Sequence, residues 1–418
     1  MSTVTTGPQP PQADPAASRG IGDAVRDYIA QVRGGEFGSL PAVLGLIALV
    51  LIFTALKGST FFSTFNFANL LSQGSMIIVI AMGLVFVLLL GEIDLSAGFG
   101  AGTAAAVLGV TLTEHGWPVI LALIACMATG VAIGLLIGLL VARLGIPSFV
   151  VTLAMFLALQ GMMLLIIGEG GTVPIRDDAI LALQNKNLPP VAGWLLFVLA
   201  VAGYGALTGR RLRRRHAAGL TAEPMTFWAL KLAVLAVLAG LGTFFLNQER
   251  SRRPELTSIK GVPYIVPLIL VLLIVLSFVL TRTAFGRHIY AVGGNSEAAR
   301  RAGINVKRIM ITCFIICSAL AAVAGILFAS RDNSISPSTG GSTTLLYAVG
   351  AAVIGGTSLF GGRGRISDAV LGGLVVAVIA NGLPLITQKA GIQFVVTGLV
   401  LLVAASVDAL SRRRSLTS

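Results

Sequence analysis

Charge is scarce in this chain: 11% of its 418 residues are Asp, Glu, Lys or Arg, whereas soluble domains carry about 25%. That scarcity excludes an ordinary soluble domain, and a hydrophobic share of 56% with a mean hydropathy of +0.92 points to the bilayer. Cysteine is rare as well. Cys126, Cys313 and Cys317 all fall inside apolar runs, which leaves no disulfide framework and no metal site to expect. Cys313 and Cys317 share a helix face and read as small packing residues. The three histidines, His115, His216 and His288, lie at the margins of apolar runs, so a histidine-based catalytic centre is not expected. A phosphate cradle of the form GxxxxGK[ST] is missing; "GGRGR" (Gly361 to Arg365) has the glycines but neither the lysine nor the hydroxyl. There is no HExxH, no Cys/His cluster and no polar stretch long enough for a catalytic domain. The chain is expected to move something rather than transform it.

What is present is a series of apolar runs. A hydrocarbon core about 30 Å thick takes about 20 apolar residues per helix, and twelve segments answer to that pattern: 41–57, 68–90, 95–113, 117–142, 146–168, 191–209, 226–247, 263–281, 309–329, 343–359, 366–386 and 391–410. The expected fold class is all-α, a polytopic transmembrane helical bundle. Residues 1–20 contain no apolar core of a signal peptide and read as a disordered tail. In residues 21–40, Ile21, Val25, Tyr28, Ile29 and Val32 recur at helical spacing among Asp23, Arg26, Asp27 and Arg33. Two readings stand for that stretch, an amphipathic helix lying on the membrane and a solvated leader. Residues 41–410 form the permeating domain and 411–418 a basic tail.

The formal charge of +13 sits in short clusters beside apolar runs, which speaks for a membrane and against nucleic acid. Two thirds of the 30 lysines and arginines fall in alternate loops, above all Arg210 to Arg215, Arg282 to Arg308 and Arg412 to Arg414. Because inward loops carry the basic excess, both termini are expected in the cytoplasm. One loop departs from the rule: "NQERSRRPELTSIKGVP" (Asn247 to Pro263) should face outward yet holds four basic residues.

Two glycine-rich segments, "GEIDLSAGFGAGTAAAVLG" (Gly91 to Gly109) and "YAVGAAVIGGTSLFGGRGR" (Tyr347 to Arg365), are candidates for broken or re-entrant helices, which in paired positions point to a transporter's pathway. "GIPSFVVTLAMF" (Gly145 to Phe156) beside "GIQFVVTGLVLL" (Gly391 to Leu402) hints at duplication. Gly130, Gly134 and Gly138 make a small-residue face suited to helix packing. Polar residues at membrane depth are few: Glu92, Asp94 and Ser96 in "GEIDLS", then Gln73, Gln160 and Asn381. They are the candidate substrate pathway. For Asp94 and Ser96 a helix cap at the membrane edge explains the same residues, and the lone amides equally suit bonds between helices.

The segment "GRHIYAVGGNSEAARRAGINVKRI" (Gly286 to Ile309) is polar and basic between two apolar runs. Gly293 and Gly294 allow a turn, Asn295 suits an N-cap, Glu297 the first turn, Arg300 and Arg301 the last, and Gly303 the end of a helix of about two turns. "GEIDLSAG", this segment and "AVGAAVIGGTSLFGGRG", in that order, resemble the matching segments of bacterial ABC-transporter permeases of the ribose, xylose, arabinose and galactose import class, from about Asn66 to Leu410. The hairpin-like insertion Trp194 to Leu246, with "GRRLRRRHAAG" at its tip, is similar to the xylose-type permeases; "GEIDLS" differs from the common "GGIDLS" by its carboxylate at Glu92.

The resemblance implies a permease with no cofactor of its own, ATP and Mg being used by separate cytoplasmic ATPase subunits. It implies a second permease copy, an extracytoplasmic sugar-binding protein, and a monosaccharide cargo with xylose favoured. It makes Asn295, Ser296, Glu297, Arg300, Arg301 and Gly303 the ATPase-coupling helix. Other readings are an ABC permease for a nucleoside or another small polar solute, a secondary transporter driven by protons through Glu92 and Asp94, and a membrane scaffold or receptor.

Overall fold

The computed structural model describes residues 40–168, 170–220, 223–251, 253–400 and 402. The terminal tails and the amphipathic stretch 21–39 lie outside them. The chain is helical almost throughout: α1 (Leu40–Lys57), α2 (Thr64–Leu88), α3 (Ala97–Gly109), α4 (Val119–Ala142), α5 (Ser148–Ile167), α6 (Asp178–Asn185), α7 (Pro190–Ala217), α8 (Met225–Asn247), α9 (Ile265–Arg282), α10 (Ala284–Gly294), α11 (Ser296–Arg301), α12 (Val306–Asp332), α13 (Ser342–Gly355), α14 (Ile366–Ile386) and α15 (Ala390–Val400). Each of the twelve expected segments holds a helix, the last of them described to Val400. Among the described residues nine helices are long and apolar enough to cross a membrane, while α3 and α13 have 13 and 14 residues.

Two helices form the centre. Beyond Ser75, α2 is apolar on every side, and from Gly74 to Leu89 each residue is buried, as expected of a helical stretch with no polar face. It packs on α12, which also contacts α3 and α4. Gly130, Gly134 and Gly138 bring α4 against Ser318, Phe314 and Ile311 of α12, so the small-residue face packs a neighbouring helix.

The order long, short, long, then a helix carrying the paired sequence occurs twice, in α2 to α5 and in α12 to α15. The packing crosses between the halves: α4 lies on α12 and α14 on α2. The halves run in opposite senses, because the start of α2 and the end of α12 meet the same residue. Gln184 of α6 receives a bond from Ser72 (2.7 Å), donates to Ser75 (2.8 Å), and has its backbone N–H bound to Ser330 (3.0 Å). This is an inverted repeat, with Thr152 of α5 and Thr397 of α15 at matched, buried positions.

Loops segregate to two ends. At one lie 89–94, Ser148, α10, α11 and 356–365; at the other lie β1 (Val173–Pro174) paired with β2 (Ser334–Ile335), α6 and the 247–263 loop. In the second glycine-rich segment the helix α13 stops at Gly355 and residues 356–365 are non-helical; a second non-helical stretch, 333–341, precedes α13.

The 247–263 segment is a loop, flanked by α8 and α9 as expected. Two of its basic residues, Arg250 and Lys260, meet partners close by. Arg250 is buried and donates to the carbonyls of Leu246 and Gly261 and to Asn187. Glu249 accepts from Arg250, Ser251 and Ile259 N–H groups and from the Ser258 hydroxyl, with Lys260 3.7 Å away. The Ser258 hydroxyl leads the bonds that lower the pKa of this carboxyl from 4.5 to about 2. A depressed carboxyl contributes stability in full above its ordinary value and loses it as pH falls through the lowered one. Glu249→Gln is therefore expected to raise hydrogen exchange at Ser251 and Ile259 at pH 7, while the unmodified loop keeps its protection until pH approaches about 2.

Candidate functional site

At the end that holds α10 and α11, the three segments quoted above come together. The N–H of Gly362 donates to the carbonyl of Leu89 at 2.9 Å. A Cβ on Gly293 would lie 1.8 Å from that carbonyl and 2.8 Å from the nitrogen of Gly362, so only glycine fits. Gly361, at φ +84, is pressed between the Gly293 carbonyl and Gly91; a left-handed φ is open to glycine at no steric cost. The hydroxyl of Tyr290 donates to the carbonyl of Gly364 at 2.7 Å. Backbone thus meets backbone, with few side chains between.

From this junction the polar segment extends outward. Residues 284–294 are a helix, α10, where a turn at Gly293 and Gly294 was expected; its apolar residues Ile289 and Val292 are buried, and that amphipathic burial outweighs the two glycines. The turn falls instead at Asn295, in an extended conformation, whose side chain accepts from Ala298 N–H at 2.9 Å. α11 is six residues long, roughly 9 Å at 1.5 Å per residue. Gly303, at φ +85, follows its end. Glu297 meets Arg300 at 2.7 Å and Arg301 at 3.2 Å, and these guanidiniums, Arg300 foremost, hold its carboxyl below the usual range. All three side chains are more than half exposed, and Ser296 lies beside them, also exposed. The face of α11 is open, charged and net basic.

In the other direction the 89–96 loop descends into the bundle. Ile93 is fastened to α5 by its N–H on the Ser148 hydroxyl (3.3 Å) and its carbonyl under the Thr152 hydroxyl (3.2 Å). Asp94 and Ser96 are fully buried. Asp94 Oδ1 accepts from Ser96 N–H at 2.8 Å and from the Ser96 hydroxyl at 2.6 Å. Among the described residues its Oδ2 has no N–H or O–H donor, and the thiol of Cys317 lies beside the carboxylate. Cys317 lies near the middle of α12, so Asp94 is no cap at a membrane edge. It ties a turn inside the bundle, ahead of α3. The lead-in to α13 reaches the same interior from the opposite end: a Cβ on Gly98 would lie 2.5 Å from the Gly340 carbonyl, and one on Gly102 would lie 2.3 Å from that of Thr339. Two short helices thus begin inside the bundle, side by side.

A family model described as "branched-chain amino acid transport system / permease component" matches residues 66–405. The chain belongs to this permease family. It is 37% identical over 373 residues to the xylose transport system permease protein XylH of Escherichia coli K12, covering 89% of this chain and 92% of that protein. The XylH of Haemophilus influenzae is 33% identical over 90% of this chain and 98% of its own length. The ribose import permease protein RbsC of Escherichia coli K12 is 30% identical over 92% and 96%. No solved structure matches.

Within this permease the six pathway candidates do not form one cluster. Asp94 and Ser96 share the interior turn, and Glu92 sits half-buried toward the junction, its N–H on the Val87 carbonyl. Gln73 and Asn381 lie at the β1–β2 end, where Asn66 donates to Asn381 at 2.8 Å and Asn381 to Gln73 at 3.4 Å. That amide chain joins α2 to α14. Gln160 is exposed on the outer face of α5, among Leu157 and Met162. Sequence reasoning missed Ser148, Thr152, Tyr290 and Gln184, whose partners are distant in the chain; only Thr152 was within reach, as part of the repeated stretch.

Gly293→Ala is expected to destabilise the permease by about 1–3 kcal/mol through overpacking, whereas Gly294→Ala, with nothing within 4 Å of its added carbon, should be silent; thermal unfolding in detergent distinguishes them. In the same assay Asp94→Ala should cost about 1–3 kcal/mol by leaving buried donors unpaired, and Asp94→Asn, which keeps an acceptor oxygen, should recover at least half.

Proposed function

We propose that this chain is the membrane subunit of an ATP-driven importer for a monosaccharide, with xylose as the cargo. The observation that carries the mechanism is the junction at Gly293. Through it an exposed, short, capped helix is continuous with the backbone that leads to Asp94 and α3. α11 docks on a separate cytoplasmic ATPase subunit, where ATP and Mg are bound and consumed. Closure of the ATPases pushes α11 and α10; because the junction is backbone against backbone, the push reaches the 89–96 and 356–365 loops without compressing flexible side chains. These loops flank the interior starts of α3 and α13. Shifting them exchanges access between the two ends, and ATP supplies the difference in stability between the two states.

The α10–α11 end is the cytoplasmic one. The basic clusters on α7 and at 282–308 support this by the positive-inside rule, and in the 247–263 loop Arg250 is buried and bonded within the protein. Both termini then lie in the cytoplasm, and the β1–β2 end faces an extracytoplasmic sugar-binding protein. Two copies form the working unit: an amide on the lipid-facing side of α5 is costly, and a second copy over that face would enclose Gln160 and bring it to a shared pathway. The xylose assignment rests on the likeness to xylose permeases, including the inserted α7–α8 hairpin.

The test is reconstitution with the partner ATPase and binding protein, followed by sugar-stimulated ATP hydrolysis across xylose, ribose, arabinose and galactose. Xylose should stimulate most. Uptake that persists with this chain alone under a proton gradient would favour a secondary transporter instead. Replacing Glu297 and Arg301 together by Ala should cut uptake at least about tenfold, the loss of roughly 1.4 kcal/mol of coupling, with the permease still folded. Unchanged ATPase association and uptake would remove α11 from the mechanism.

A further inference from the structure

The α7–α8 hairpin takes no part in the junction or in the two interior lead-in loops. α7 packs on α8 through Gly205 against Leu232 and Gly209 against Trp228, and the hairpin meets the bundle where Phe245 touches Phe62 and Phe67. Much of its length faces the surrounding lipid, with Val198, Leu199, Leu207, Val234 and Leu238 exposed.

Two features of this hairpin fit one ligand. The first is a groove of about 380 Å³ with almost no polar surface, lined by Phe197, Val198, Val201, Ala202 and Gly205 of α7 and by Leu232 of α8. The second is the last two turns of α7, where Arg210, Arg211, Arg213, Arg214 and Arg215 are all exposed and none has a side-chain partner among the described residues. No acid lies between Gly205 and Gly219, and the nearby Glu223 is held by Lys231 at 2.9 Å.

The groove and Arg213 are in register. At 100° per residue, Val198, Ala202, Gly205 and Gly209 form a stripe that continues into Arg213 and His216, while the other four arginines ring the same two turns of the helix. From Gly205 to Arg213 is roughly 12 Å along the helix, the step from the upper acyl region to the headgroup. Guanidinium groups bind phosphate oxygens in bidentate pairs, and basic residues at the membrane surface each add about 1 kcal/mol of attraction to anionic lipid. A choline headgroup would set its own cation among five arginines. A glycerol or phosphate headgroup would not.

We propose that the α7–α8 hairpin is a binding site for an anionic phospholipid, an acyl chain lying in the Val198–Gly205 groove and the phosphate held by the arginines of residues 210–215. This site is independent of the transport reading, since neither feature touches α10, α11 or the interior loops. It gives the insertion a role of its own, anchoring a peripheral hairpin that has little protein to pack against.

Trp228, whose ring lies against Gly209 and whose Nε1 donates to Thr208 at 2.9 Å, reports on the site. With Trp117→Phe and Trp194→Phe it becomes the one tryptophan of the full chain, and its quenching by phospholipids brominated on the acyl chain measures their occupancy. Brominated phosphatidylglycerol is expected to quench at roughly tenfold lower mole fraction than brominated phosphatidylcholine. Replacing all five arginines by Gln should bring the two lipids together. Ala202→Phe fills the groove and leaves every charge in place, so it should weaken quenching even if the five-fold variant inserts poorly. Equal quenching by both lipids in the parent protein, an ordinary lipid annulus, would overturn the proposal. So would a preference that survives Ala202→Phe, or displacement of the lipid by excess inorganic phosphate.

Discussion

Inside a bilayer, backbone N–H and C=O groups have no water to bond, so non-helical chain at depth must be enclosed by protein. Two such stretches, 89–96 and 333–341, lead into α3 and α13, and the arrangement of the bundle follows from sheltering them. α2 stands against both short helices and α12 against α3, and both long helices are largely buried along their central turns. The 89–96 stretch satisfies its own groups through Asp94 on Ser96 and through Ser148 and Thr152 on Ile93. The 333–341 stretch does so through the β1–β2 pair and the Ser336–Thr339 turn.

That enclosure makes the glycines intelligible. Where the lead-in loop leaves the bundle it must pass another loop and the end of α10 at backbone distance, and any side chain at Gly293 would hold the three apart. A contact between backbones has few rotamers to absorb a displacement, so it transmits movement better than a cushion of side chains. The same geometry that closes the interior therefore links it to the exposed charges of α11.

The inverted repeat gives the centre its economy. Each half contributes one long buried helix and one short helix starting in the interior, and each half's third helix covers the other half's first. The hairpin lies outside this scheme. Its helices contact the centre only at its margin, and its basic end faces outward beside the membrane surface.

How much was legible in the sequence follows from the range of the forces involved. Apolar period and length set the twelve helices, because a helix satisfies its backbone within itself. The cap at Asn295 and the placing of Glu297 in the first turn and Arg300 and Arg301 in the last turn of α11 were readable for the same reason, since they depend on residues within one short helix. Asp94 was readable as an unusual carboxylate but not as an interior turn, since its depth depends on how α12 and α5 surround it. Gln73 and Asn381, read as pathway candidates, bond one another across more than 300 residues of chain, and Gln160 shows its exposure only once α5 has a place on the outside. The non-helical stretch 333–341 before α13 was not legible, because it lacks the glycine run that marks 356–365, and glycine also marks close helix contacts, as at Gly355 and Gly372. Local composition and periodicity thus determined the helices, their caps and the membrane environment. Only the tertiary structure decided which polar groups meet, because those bonds join residues that no local pattern relates.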